Sequence, residues 1–148
     1  MYDSTLDTQN HIERVSSLID KINYLFFLRA QEHDRSKLHA PEKKIFDEYS
    51  PKLKELTYGS KEYNECLSKM KEALNHHYKK NRHHPEHFKN GISDMNLIDI
   101  LEMLCDWKAA SERHDNGNIK KSIEINQKRF NYSNDLKNIF LNTLELFE

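Results

Sequence analysis

The sequence predicts an all-α protein. Apolar residues recur at helical spacing along most of the chain, and no segment alternates with the period of two that marks a strand. Only three glycines and three prolines occur, too few for a turn-rich sandwich or barrel but enough to separate a handful of helices. At 148 residues the chain suits one domain, so the expectation is a single helical bundle over residues 1–148, with about six or seven helices.

Between Leu6 and Ala30 the residues Val15, Leu18, Ile19, Ile22, Leu25, Phe26 and Leu28 follow a helical period without an intervening Gly or Pro. Pro41 suits the first turn of a second helix that carries Ile45, Phe46 and Tyr49, and Ser50-Pro51 is expected to break or kink it. Gly59-Ser60 reads as a turn with Ser60 as N-cap. The helix it opens carries Tyr63, Leu67, Met70, Leu74 and His77 on one face. Asn81 to Asp94 contains Pro85 and Gly91 and reads as a loop with a helical turn in it. Ser93 or Asn96 then caps the most regular helix, roughly 96–114, and Gly117 punctuates its end. Ile119 to Phe130 forms another helix, and Ser133 caps a last one that buries Leu136, Ile139, Phe140 and Leu144.

The formal charge is −1, which gives no general attraction to nucleic acid or to an anionic membrane. No apolar run approaches the ~18–20 residues that span a bilayer, and the N-terminal stretch MYDSTLDTQN does not read as a signal or transit peptide. Cys66 and Cys105 lack metal-type spacing and read as reduced thiols, consistent with a cytoplasmic protein.

Histidine is in surplus, at nine residues, and most of it is clustered: His33 beside Asp34, His39 soon after, His76-His77, and His83-His84 with His87. Histidine is the commonest metal ligand among side chains. His33 and Asp34 diverge by ~100° on a helix yet can both reach an ion lying between them. Imidazole with carboxylate suits Zn, Mn, Fe, Co or Ni better than Ca or Mg. The run continues as Arg35-Ser36-Lys37, placing cations next to the candidate site, as a phosphate substrate would require. Of the first histidine pair, His77 continues the apolar face of its helix and is expected to point inward. It can meet His83 or His84 only if the helix ends near Asn81 and the chain turns there.

The helix from Leu97 adds a narrow acidic stripe. Asp99, Glu102 and Asp106 fall within about 60° of each other, with Arg113 in the same arc. Most of the remaining circumference is apolar, and Ala109 and Ala110 flank the stripe. Carboxylates so placed are expected to face something cationic inside the fold; the plainer alternative is a wet face with an Asp106–Arg113 pair. His11 is a separate case. A straight helix would put it ~33 Å from His33. Joint ligation therefore needs the chain to turn back between them, and Lys21-Ile22-Asn23 is the best place for that corner. There is no Gly-x-Ser-x-Gly, Gly-rich phosphate loop or Cys-x-x-Cys motif.

The order His11, His33-Asp34-x-Ser36-Lys37, a His-His pair and then Asp106 resembles the H…HD…D pattern of the HD-domain superfamily of metal-dependent phosphohydrolases. His33-Asp34-Arg35-Ser36-Lys37 and His83-His84-Pro85-Glu86 look like motifs of HD-GYP phosphodiesterases. The Gly-Tyr-Pro segment is replaced by Phe88-Lys89-Asn90-Gly91, so cyclic-dinucleotide hydrolysis is not implied. Nearly the whole chain is similar to a family of small, largely uncharacterised phage and bacterial proteins, HD-like and labelled as a domain of unknown function. The shared motifs are HD-x-SK, His-His-x4-Asn-x-His-His and Glu102-Met103-x-x-Asp106-Trp107.

The resemblance implies His11, His33, Asp34 and Asp106 as primary metal ligands, with His77 and one of His83 or His84 extending the site to a second ion. It also implies Glu102 as a ligand or base and Lys37 as a contact to phosphate. The function expected on this basis is hydrolysis of a nucleotide or related phosphoester, with one or two divalent transition-metal ions. Asp34, Glu102 and Lys37 would be the catalytic groups, and Lys37, with Arg82 or Arg113, would neutralise phosphate charge. The alternative is a non-catalytic HD-like phage accessory protein that binds a nucleotide signal or a host protein. The expected partner is a small phosphorylated molecule rather than a membrane or nucleic acid, and a homodimer is compatible with the sequence.

Overall fold

The computed structural model describes residues 2–57, 60–113 and 117–147. The chain divides into two units, Met1–His33 and Asp34–Glu148. Seven α-helices and no strands occur among the described residues, as the all-α expectation requires.

The first unit is one helix, α1 (Thr5–Glu32). It runs without interruption through Lys21-Ile22-Asn23, so the corner needed to bring His11 back to His33 is absent. Neither Gly nor Pro lies in this stretch to open the helical bond ladder, and a single Asn costs too little helix propensity to break one this long. His11 therefore stays about 33 Å along the axis from His33.

The second unit begins with a short 3-10 turn, Arg35–Leu38, entered through Asp34 in the left-handed region at φ 57°. Asp tolerates that conformation better than most residues. Next come α2 (Glu42–Lys54), α3 (Lys61–Lys69), α4 (Lys71–Lys80), two further 3-10 turns at Pro85–His87 and Gly91–Asp94, and then α5 (Leu97–Ser111), α6 (Ile119–Phe130) and α7 (Asn134–Thr143). Ser60, Asn96, Asn118 and Ser133 each accept a hydrogen bond from the amide three residues on, at 3.0–3.2 Å, and so start α3, α5, α6 and α7. At α5 the cap is reciprocal, because Asp99 also accepts from the Asn96 amide.

Two expectations are refined. Of the break or kink expected at Ser50-Pro51, the break does not occur: helix α2 continues through Pro51 to Lys54, since a proline one turn from the end removes little of the ladder. The single helix expected through Met70 is two helices, which meet at Met70 with φ −87° and ψ 0°. Met70 is itself buried, so the apolar period passes through the join unbroken. Gly59 and His114 lie outside the described residues.

Packing in the second unit is concentrated in two places. Helices α5, α6 and α7 bury Met103, Leu104, Ile123, Tyr132, Phe140 and Leu144, with Trp107 stacked on Phe130 at 6.3 Å between ring centroids. The Tyr132 hydroxyl donates to the Ile123 carbonyl at 2.6 Å, and burial pushes its pKa up to about 12. Helix α4 packs on α2 and on the turn that follows Asp34. This second contact brings the histidines of α4 to Asp34.

Candidate metal centre

The acidic stripe of α5 points inward, as its angular spacing indicates: Asp99 and Glu102 are buried and Asp106 is half-buried. The buried carboxylates take different partners. Asp99 receives a two-pronged contact from Arg82, Nε to Oδ1 at 3.1 Å and Nη2 to Oδ2 at 2.9 Å. Arg82 also stacks over Phe88, 4.8 Å from its centroid. Its guanidinium is thus used in tying the turn after α4 to the start of α5. Glu102, one turn further on, stands 3.1 Å from His83 Nδ1.

The histidine-rich turn closes as the metal reading requires. Helix α4 ends at Lys80, Asn81 leaves it in an extended conformation, and the chain returns so that His83 and His84 stand beside His77. His77 is the inward member of its pair, and both His83 and His84 reach the site. Asp34 Oδ1 lies 3.2 Å from His77 Nε2 and 3.5 Å from His83 Nε2. His77 Nε2 and His84 Nε2 are 2.9 Å apart. All four groups present a ligand atom within 4.8 Å of one another. The carboxylate of Asp106 also comes within 4.8 Å of that of Asp34.

These spacings fit a cation. Ligand atoms ~2.0–2.1 Å from a metal are separated by about 3.3 Å around a tetrahedron and about 3.0 Å around an octahedron. The observed 2.9–3.5 Å spans both values. Burial, with the neighbouring His83 and His77, lowers the His84 pKa to about 2, so its imidazole is a neutral lone-pair donor at pH 7.

A second layer fixes the rings. Glu42, in the first turn of α2, is fully buried. Its Oε2 lies 2.9 Å from His77 Nδ1 and accepts from Ser36 Oγ at 3.0 Å, while Oε1 lies 2.7 Å from His76 Nδ1. Asn81 Nδ2 donates to Ser36 Oγ at 2.8 Å and to the His77 carbonyl at 2.9 Å. Burial alone would raise the Glu42 pKa, but hydrogen bonds from His76, Ser36 and His77 outweigh it and hold the carboxyl below its usual value. A carboxylate on Nδ1 selects the tautomer that leaves Nε2 free to ligate. Glu42 on His77 forms such a support, whereas Glu102 meets His83 Nδ1 at ion-pair distance without hydrogen-bond geometry, and so does not fix its tautomer. The Ser of the HD-x-SK motif belongs to the Glu42 support. Sequence reading missed Glu42 and Ser36; the only available signal was an acid directly after Pro41.

Lys37 Nζ pairs with Asp34 Oδ2 at 2.6 Å, which leaves Oδ1 turned toward the histidines. Asp34 and Lys37 line an open groove of about 1720 Å3 that also carries Phe46, Lys54, Tyr63, Arg113 and Lys121. Of the cations expected at a phosphate, Lys37 and Arg113 therefore share this groove, whereas Arg82 is held by Asp99. His33 ends the first unit as the residue capping α1. His39 is exposed, and His87 Nδ1 contacts the Tyr78 carbonyl at 2.9 Å.

Fold and site together define an all-helical protein with a buried cluster of three imidazoles and a carboxylate at metal-ligand spacing. The chain belongs to the DUF5662 family, a family of unknown function, which matches over residues 1–146. No curated protein and no solved structure matches it. Among the described residues no helix is long and apolar enough to cross a membrane.

Proposed function

We propose that this protein is a divalent-metal-dependent phosphohydrolase acting on a nucleotide or related phosphoester. The observation that carries the reading is the convergence of His77, His83 and His84 on Asp34, which itself lines a groove bearing Lys37, Lys54, Arg113 and Lys121. A divalent ion held there would polarise a phosphoryl oxygen and lower the pKa of an attacking water. The chain's own groups supply the rest. Glu42 holds His77 in the ligating orientation, and Glu102 adds negative charge beside His83. Lys37 orients Asp34 and adds positive charge beside the ion, while Lys54, Arg113 and Lys121 attract and align the anionic substrate.

The ligand count bears on metal identity. Four protein ligands would fill a tetrahedral zinc site, the closed arrangement typical of structural zinc. A six-coordinate ion keeps positions for water and substrate with the same four ligands. The catalytic reading therefore favours Mn, Fe, Co or Ni over Zn. The test is to load metal-free protein with each ion in turn and screen nucleoside mono-, di- and triphosphates and cyclic nucleotides for phosphate release. The expected result is turnover that needs one of the six-coordinate ions and disappears in Asp34→Asn. Protein that takes up none of the five metals would overturn the proposal. Protein that binds only zinc and melts on chelation would make the ion structural.

A further inference from the structure

The groove that Asp34 lines is larger than a single phosphate needs. All of its lining belongs to the second unit. Its volume of about 1720 Å3 exceeds the ~300–1,000 Å3 of a pocket for one small ligand. Helix α2 sets its length. Phe46, Ser50, Leu53 and Lys54 stand at i, i+4, i+7 and i+8 and line the groove from one helix face. Phe46 marks the metal end, because Lys37 Nζ lies 2.6 Å from Asp34 Oδ2 and 5.3 Å from the Phe46 ring centroid. Lys54 is eight residues further on, ~12 Å along the helix axis.

The charges lining the groove are unbalanced. Its two acids are answered within the chain, Asp34 by Lys37 and Asp47 by Lys43, each at 2.6 Å. Lys54 on α2, Arg113 just after α5 and Lys121 on α6 are exposed, and among the described residues no carboxylate pairs with any of them. The net charge of −1 averages this local patch away. Three such cations facing one groove call for an anion whose charge is spread along it. The half-buried rings of Phe46 and Tyr63 line the same groove. Cations that follow phosphates, with aromatic rings on which bases stack, are the means by which proteins hold single-stranded nucleic acid. A duplex keeps its base faces stacked inside and offers the rings nothing. An acidic peptide brings charge but no phosphoester to the metal end. We propose that the groove binds a single-stranded oligonucleotide, about three or four nucleotides long at ~3.4 Å per stacked step. One phosphodiester lies at the metal centre, and the phosphates beyond it lie along Lys54, Arg113 and Lys121. The cleavage of the bound strand rests on the phosphohydrolase reading; the binding does not. In that cleavage the oxygen of water bonds to phosphorus, one ester P–O bond breaks, and a proton of the water passes to the departing alkoxide, leaving a phosphate monoester and an alcohol.

The test is fluorescence anisotropy of labelled single strands, from one nucleotide to about eight, on the metal-free full chain, so that bound strands stay uncut. Affinity should rise about tenfold or more between one nucleotide and four, and level off beyond. Contact with three phosphates gives a slope of about −2 in log affinity against log salt, at ~0.7 per phosphate of a single strand. Lys54→Gln and Lys121→Gln should each bring that slope ~0.7 nearer zero. Tyr63→Leu should weaken binding about fivefold or more and leave the slope unchanged. Duplexes, polyglutamate and inorganic polyphosphate of matched charge should bind about tenfold more weakly or worse. Binding of either sugar upholds the proposal, and separate DNA and RNA arms assign it. A single nucleotide held as tightly as a tetramer, a slope unmoved by both lysine substitutions, an unaffected Tyr63→Leu, or any of the three competitors bound as tightly as the strand would overturn it. A strand bound in the expected pattern but cut with none of the five metals would uphold the groove's ligand and remove the phosphohydrolase reading. Turnover of mononucleotides with no gain from added length would do the reverse.

Discussion

Glu42 Oε2 stands 2.9 Å from His77 Nδ1, in a position where the carboxylate has no exposure to solvent. A fully buried carboxylate is costly unless its hydrogen bonds are satisfied. Here His76, His77 and Ser36 supply them. The arrangement is the one by which proteins fix the tautomer of a ligating histidine.

Glu42→Gln should therefore weaken metal binding about 10- to 100-fold, the usual effect of removing a carboxylate behind a ligating histidine. Titration of Co(II) into metal-free wild type and variant measures this. Equal affinities would mean that Glu42 holds α2 to α4 without acting on the ion.

Asp34→Asn should remove metal binding while leaving the fold intact. Asparagine keeps the left-handed backbone at φ 57° that alanine would strain by ~1–2 kcal/mol. Asp34 is not part of the hydrophobic core formed by α5, α6 and α7. Circular dichroism should show unchanged helicity in the metal-free state, with metal uptake lost. A collapse of helicity would mean that Asp34 is a folding residue.

Arg82→Ala should destabilise the second unit without changing metal affinity. It leaves Asp99 fully buried and charged with no guanidinium. Breaking a buried pair costs about 3–5 kcal/mol, and the partial exposure of Arg82 argues for the low end, about 3 kcal/mol. Urea unfolding gives the number. An unchanged midpoint with lost phosphate release would return Arg82 to the substrate.

Tyr132 gives a pH prediction. Its folded pKa of about 12 lies above the unfolded value of about 10, so the unfolded chain loses its proton first. This contribution to stability is complete below pH 10 and is lost as the pH rises from 10 to 12, by about 2–3 kcal/mol in all. Unfolding of Tyr132→Phe should lack that part of the alkaline decline. Parallel curves for the two proteins would show that Tyr132 titrates normally.

The inward acidic stripe was legible because helix arithmetic confines Asp99, Glu102 and Asp106 to one arc, and the caps at Ser60, Asn96 and Ser133 were legible from side-chain chemistry. The division of labour along the stripe was not. Which carboxylate meets Arg82 and which meets His83 depends on how the turn after α4 crosses α5, and nothing local encodes that. Glu42 was hidden for a related reason. Followed by Lys43 and Lys44, it reads as surface, and only the packing of α2 on α4 buries it. The join at Met70 escaped because its residues keep the helical apolar period across the break. The continuity of α1 decided against a corner that only joint ligation by His11 and His33 had required.

The central claim is that Asp34, His77, His83 and His84 hold a divalent ion. Calorimetric titration of Co(II) into metal-free protein, followed by its visible absorption, tests it most directly. The account predicts one ion per chain at this cluster, with a ligand-field band that is lost in both His77→Ala and His83→Ala. Absence of binding, or binding that survives both substitutions unchanged, would contradict it.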